Sequence, residues 1–210
     1  MSDAELERAG ELAHVGKLAE ARDLIVALAD RCADEDVAVR AALLSRASEL
    51  ALDAAGPAAA EPLVDRAIAD AERSGDPGAR LHAFAARARV CLRVHTDRAV
   101  AEAEAALDQA CEAEATLPGG LRAVALELRG MACARRGAVR AALEHFATAY
   151  ALAEGQVEQR ARVLLTWAVQ LRNWGLFEEA ERRARRSLEV RLELGDDYGT
   201  AMCYGVLAFI

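Results

Sequence analysis

The chain has 210 residues, is 54% hydrophobic but only 4% aromatic, and carries a formal net charge of −8. That acidic balance argues against a surface built for nucleic-acid phosphates. An apolar content dominated by alanine, with few large anchors, requires a long thin core or tightly nested helices.

From the N-terminus, Ser2 and Glu5 have the spacing of a capping box, so a helix is expected to begin there. Asp3, Glu5 and Glu7 stand where a secretory signal would need positive charge, and the chain is expected to carry no export signal and to be cytoplasmic. Glycine turns are expected at Gly16, at Gly56-Pro57, at Gly75-Asp76-Pro77-Gly78, at Pro118-Gly119-Gly120, at Gly137, Gly155 and Gly175, and at Gly195-Asp196. Between them, apolar residues recur three and four apart, and no period-2 run rich in Val, Ile or Thr interrupts them. The spacing predicts an all-helical chain of eleven segments. Asp76 with Pro77, and Asp196 or Asp197, are suited to starting the helices that follow them. No run of about eighteen uncharged apolar residues is present to cross a bilayer.

Two kinds of segment alternate. One starts at a glycine turn and places apolar or small residues two, five, nine and twelve positions on: Leu18, Ala21, Ile25 and Leu28 after Gly16; Val139, Ala142, Phe146 and Ala149 after Gly137; Phe177, Ala180, Ala184 and Ser187 after Gly175. The other carries a large residue and, one turn later, a small one: Leu44 with Ser48, Leu81 with Ala85, Leu126 with Gly130, Leu164 with Ala168 and, more weakly, Ala201 with Gly205. Small residues at one recurring place mark where helices cross too closely for a larger side chain. The resulting units span 2–35, 36–74, 75–118, 119–155 and 156–195, with a half unit at 196–210.

This alternation resembles the tetratricopeptide repeat family over almost the whole chain, best in 126–153 and 164–190. The units are longer than the family's usual repeat, lack its closing proline and use Gly-Asp junctions, a style similar to the helical arms of bacterial LuxR-type and related signal-transduction ATPase regulators. The resemblance implies a right-handed α-solenoid of antiparallel hairpins. By matched position it also implies a concave groove lined by Glu49, Asp53, His82, Arg89, Glu127, Met131, Arg135, Arg172 and Asn173. Family members that clamp a C-terminal carboxylate do so with lysines and asparagines, whereas here Asn173 is the only asparagine and Lys17 the only lysine, so that mode is not expected.

Other motifs have structural explanations. Gly10 to Lys17 approaches a phosphate-binding loop but has one intervening residue too many, leucine after the lysine, and helices on both sides. His14, His82, His95 and His145 never stand at metal spacing with each other or with Cys32, Cys91, Cys111, Cys133 or Cys203, and the odd, widely spaced cysteines read as reduced thiols. Glu178, Glu179 and Glu181 alternate with Arg182, Arg183, Arg185, Arg186 and Arg191, which reads first as a solvated face and second as a basic stripe for an acidic partner. Trp167 and Trp174, seven apart on one helix, read first as core of the fifth hairpin and second as an exposed aromatic platform near the groove.

No catalytic signature appears, and neither enzyme activity nor a cofactor is expected. The expected function is a scaffold that holds a protein or peptide in the groove, the alternative being the sensor or oligomerisation arm of a larger regulator. Residues 198–210 end in apolar side chains with no helix to cover them, which leads to the expectation of a truncated array or of self-association through that end.

Overall fold

A computed structural model describes residues 3–94, 96–111 and 117–210, the side chains of 110 and 111 excepted. Eleven α-helices occupy them: α1 (Asp3–His14), α2 (Leu18–Asp30), α3 (Val37–Ala55), α4 (Pro57–Ser74), α5 (Pro77–Arg93), α6 (Asp97–Cys111), α7 (Gly119–Arg135), α8 (Val139–Leu152), α9 (Val157–Asn173), α10 (Phe177–Leu194) and α11 (Asp197–Leu207). The described residues contain no strand. Ser2, half of the expected capping box, lies outside them, as do His95 and the Cys111 side chain.

The helix boundaries follow from backbone chemistry that the sequence displays. Asp76 caps α5 by accepting from the Ala79 amide at 2.7 Å, and Asp196 caps α11 by accepting from Gly199 at 2.8 Å. Three hairpin turns share one hydrogen-bond pattern. The residue after the glycine donates five positions back, Lys17 to Leu12 at 2.8 Å, Ala138 to Cys133 at 2.9 Å and Leu176 to Leu171 at 2.9 Å, while the glycine itself donates three back. This is the Schellman closure, which requires a left-handed residue. Gly16, Gly137 and Gly175 supply it with φ of 79°, 73° and 76°.

Helix packing divides the chain into two compact units, Met1–Leu117 and Pro118–Ile210. In the first, α1 pairs with α2, α3 with α4 and α5 with α6, while α2 packs on α3 and α4 on α5. In the second, α7 pairs with α8 and α9 with α10, and α10 packs on α11. Alternate helices also meet: α3 touches α5, and α9 touches both α7 and α11. The first helices α3 and α5 of the first unit, and α7, α9 and α11 of the second, therefore stand side by side.

Most of the predicted positions are interior. Leu18, Ala21, Ile25 and Leu28 are buried, as are Ala142, Phe146, Ala149, Ala180, Ala184 and Ser187. Phe177 departs from the pattern and is 49% exposed. Of the large-small pairs, Leu44 with Ser48, Leu81 with Ala85 and Leu164 with Ala168 are buried on both sides. Trp167 and Trp174 join the core around Phe146, whose ring stacks on that of Trp167 with centroids 6.1 Å apart.

The small-residue position shows its purpose at Gly130, where a Cβ would lie 2.8 Å from the fully buried Phe146 ring. At Gly205, in the same register of α11, a Cβ would meet nothing within 4 Å. Overpacking a core site costs about 1–3 kcal/mol, whereas alanine is better than glycine by roughly 0.5–1 kcal/mol inside a helix that has room for it. Gly130→Ala is thus expected to destabilise and Gly205→Ala to be neutral or stabilising, with urea unfolding as the measurement.

Candidate functional site

The residues expected along the groove all lie on first helices. In the first unit they fall on neighbouring helices and meet. Glu49 of α3 forms an ion pair with Arg89 of α5 at 2.6 Å and with Arg46 one turn away at 3.2 Å. Asp53, the next turn of α3, pairs with Arg93 of α5. Both inter-helix pairs span forty residues, so the acidic residues of one hairpin are aligned turn by turn with the basic residues of the next. His82 sits further back on α5 and is half-buried.

This ladder has a distinct electrostatic character. The side chains of Glu49 and Arg89 are 21% and 16% exposed, which removes much of the screening that makes surface pairs weak. Burial pushes the Asp53 carboxyl above its ordinary range, and the attraction of Arg93 and Arg89 only partly offsets it. The change of charge sign along the sequence thus becomes pairing between adjacent helices.

In the second unit the expected residues divide. Glu127 of α7 is only 2% exposed and turns inward, where it accepts hydrogen bonds from Thr166 Oγ1 at 2.7 Å, Arg162 Nε at 3.1 Å and Gln159 Nε2 at 3.2 Å, all on α9. It is a strut between first helices, not an open groove contact. Met131 packs partly buried against the Phe146 core. Arg135 is exposed at the end of α7. Arg172 donates to Asn173 Oδ1 at 3.2 Å, and its guanidinium lies 5.9 Å from the centre of the Phe209 ring.

Several residues that organise these faces have no short-range signal in the sequence. Asp70 of α4 accepts from Arg40 Nε of α3 at 2.7 Å and from Arg73 at 2.7 Å. Thr166 and Gln159 become legible as partners of Glu127 only once α7 and α9 are known to be adjacent. Arg93 could have been found, because it stands forty residues from Asp53 just as Arg89 does from Glu49.

Nothing among the described residues assembles into a metal site of three or more His, Cys, Asp or Glu side chains. Gly10 lies inside α1 and Lys17 pairs with Glu20 at 3.3 Å, so the segment resembling a phosphate-binding loop is helix and turn. Cys32, Cys91, Cys133 and Cys203 are free thiols, with burial pushing the Cys91 and Cys203 thiols up, away from the reactive thiolate. No described helix is long and apolar enough to cross a membrane. The sequence matches no family model and no curated protein.

The carboxylates of the first unit should respond oppositely to acid. Burial pushes Asp70 up, but the bonds from Arg40 and Arg73 overcome it and hold the carboxyl below its ordinary range. A lowered folded-state pKa gives stability that is present above the unfolded value and lost as pH falls through the folded one. Asp53, with its raised value, does the reverse: its penalty sets in as pH rises from the ordinary carboxylate value through the folded one. Urea stability measured from pH 6 down to about pH 3 is expected to fall less for Asp70→Asn than for the unaltered chain, and more for Asp53→Asn.

Proposed function

We propose that the chain is a protein-interaction scaffold that holds a peptide or helix along the face made by its first helices. The observation that carries this reading is the side-by-side contact of alternate helices within each unit, with polar side chains along them. Helices so aligned offer a surface of repeated, similarly spaced side chains, which suits an extended or helical segment. The proposal includes the right-handed winding that the tetratricopeptide resemblance implies, and a cytoplasmic setting in keeping with free thiols.

On the first helices of the first unit Asp53 is exposed and His82 half-buried, while Glu49 and Arg89 hold α3 and α5 in line; on those of the second unit Arg135 and Asn173 are exposed and Arg172 is half-buried. Exposed charges act mainly on association rate and on the choice of partner. Reversal of Arg135 and Arg172 together, both to glutamate, is expected to slow association with a captured partner protein and to flatten its salt dependence, measured by surface plasmon resonance. The control reverses Arg98 and Arg140, exposed residues of α6 and α8. A partner kept by the first variant and lost by the control would move the interface to the second helices.

A second reading, the oligomerisation arm of a larger regulator, is favoured by one specific observation. Met202, Tyr204 and Phe209 are 46%, 55% and 77% exposed on and just beyond α11, around the open Gly205. Exposed apolar side chains of this size are characteristic of interaction surfaces. Light scattering is expected to show a concentration-dependent dimer that Tyr204→Glu with Phe209→Glu returns to monomer. A monomer for the unaltered chain at high concentration would remove this reading and leave the scaffold standing.

A further inference from the structure

The second unit carries a separate charged surface, on α10. This helix has five arginines and five glutamates, but four of the arginines, Arg182, Arg183, Arg185 and Arg186, fall within five consecutive residues. Their local pairing is incomplete. Glu179 alone serves both Arg182 and Arg183, Glu181 takes Arg185 at 2.6 Å, and Arg186 has no acidic partner within 4 Å among the described residues. The surrounding charge sharpens the contrast: residues 118–210 hold 13 arginines against 11 acids, in a chain whose first 117 residues hold 13 basic and 23 acidic side chains.

Arg183 is the most constrained of the four. Its guanidinium lies 3.7 Å from the centre of the Trp167 ring, and its buried Nε finds no acceptor among the described residues. Burial pushes its pKa down; Glu179 opposes that, and Arg182 adds to it. Arg183 shares its acidic partner, Glu179, with Arg182. Beside it the four arginines, Leu164 of α9 and Glu189 line an open recess of about 470 Å³.

We propose that this recess docks an acidic peptide segment, one in which aspartate or glutamate stands next to a leucine-sized side chain. The geometry matches that chemistry in two ways. Guanidinium forks bind planar carboxylates with paired hydrogen bonds, and a desolvated arginine stacked on an indole is already oriented to do so. Leu164 adds an apolar wall for the neighbouring side chain. A long polyanion such as nucleic acid fits less well, because the chain's net charge of −8 opposes it. The arginines of the recess all lie on a second helix, α10, and the test does not depend on the groove residues of the preceding proposal.

The test uses the full chain and a fluorescein-labelled dodecapeptide alternating glutamate with leucine and alanine, read by fluorescence anisotropy at low and moderate salt. Arg182→Gln with Arg186→Gln is expected to weaken binding at least about tenfold and to flatten the salt dependence, and Arg186→Gln alone, which breaks no ion pair, to weaken it about threefold. Circular dichroism checks that each variant is folded. The glutamine version of the peptide should bind at least about tenfold more weakly than the glutamate one, and Arg140→Glu on α8 or the Arg135 and Arg172 reversal should leave affinity within about twofold. Absence of binding by the unaltered chain, equal binding of the glutamine peptide, or equal loss from Arg140→Glu would overturn the proposal.

Discussion

The structure depends on how closely its helices can approach. With few aromatic side chains, the chain cannot separate its helices with bulk and instead brings backbones together over alanine, serine and glycine. Gly130 under the Phe146 ring is one such instance. A single large side chain enters the notch left by a missing one, and the interior reaches its density by shape, not by volume. Ala21, Ala142, Ala180 and Ala184, all fully buried, extend the same solution along the second helices.

Close approach has an electrostatic consequence. Thin helices bury little apolar area per residue, so polar side chains come within reach across helix pairs and are partly withdrawn from water. Glu127 with its three donors on α9, Asp70 between Arg40 and Arg73, and Ser187 donating to the Ala161 carbonyl at 2.8 Å are struts of this kind. Buried polar groups must be satisfied, and each such bond therefore specifies which helix lies beside which. That alignment places α3 beside α5 in the first unit and α9 beside α7 and α11 in the second, and from it the proposed binding face follows.

Much of the fold was legible because its rules are local. Glycine turns, aspartate caps and the three- and four-residue apolar spacing each act within a few residues, and the seven glycines with positive φ all stand at turns expected from the sequence. Phe177 kept the spacing yet is exposed, since periodicity tells which side of a helix faces inward but not whether a neighbour covers its first turn. The candidate site was legible only as a set of positions. That Glu49 faces Arg89 and that Glu127 turns inward depend on the offset between neighbouring helices, which no single segment encodes. The arginines of α10 illustrate the same limit: their helical pairing with glutamates was readable, but the stacking of Arg183 on Trp167 needed the third dimension.

A missing side chain at the helix crossing sets the separation on which the remaining contacts are built. The most direct test is a nuclear Overhauser measurement on protein selectively labelled at glycine and phenylalanine. A strong cross-peak is expected between the Gly130 α-protons and the Phe146 ring protons. Its absence, with both residues otherwise observed and the protein folded, would show that α7 and α8 do not meet at this notch and that the missing side chain does not set their separation.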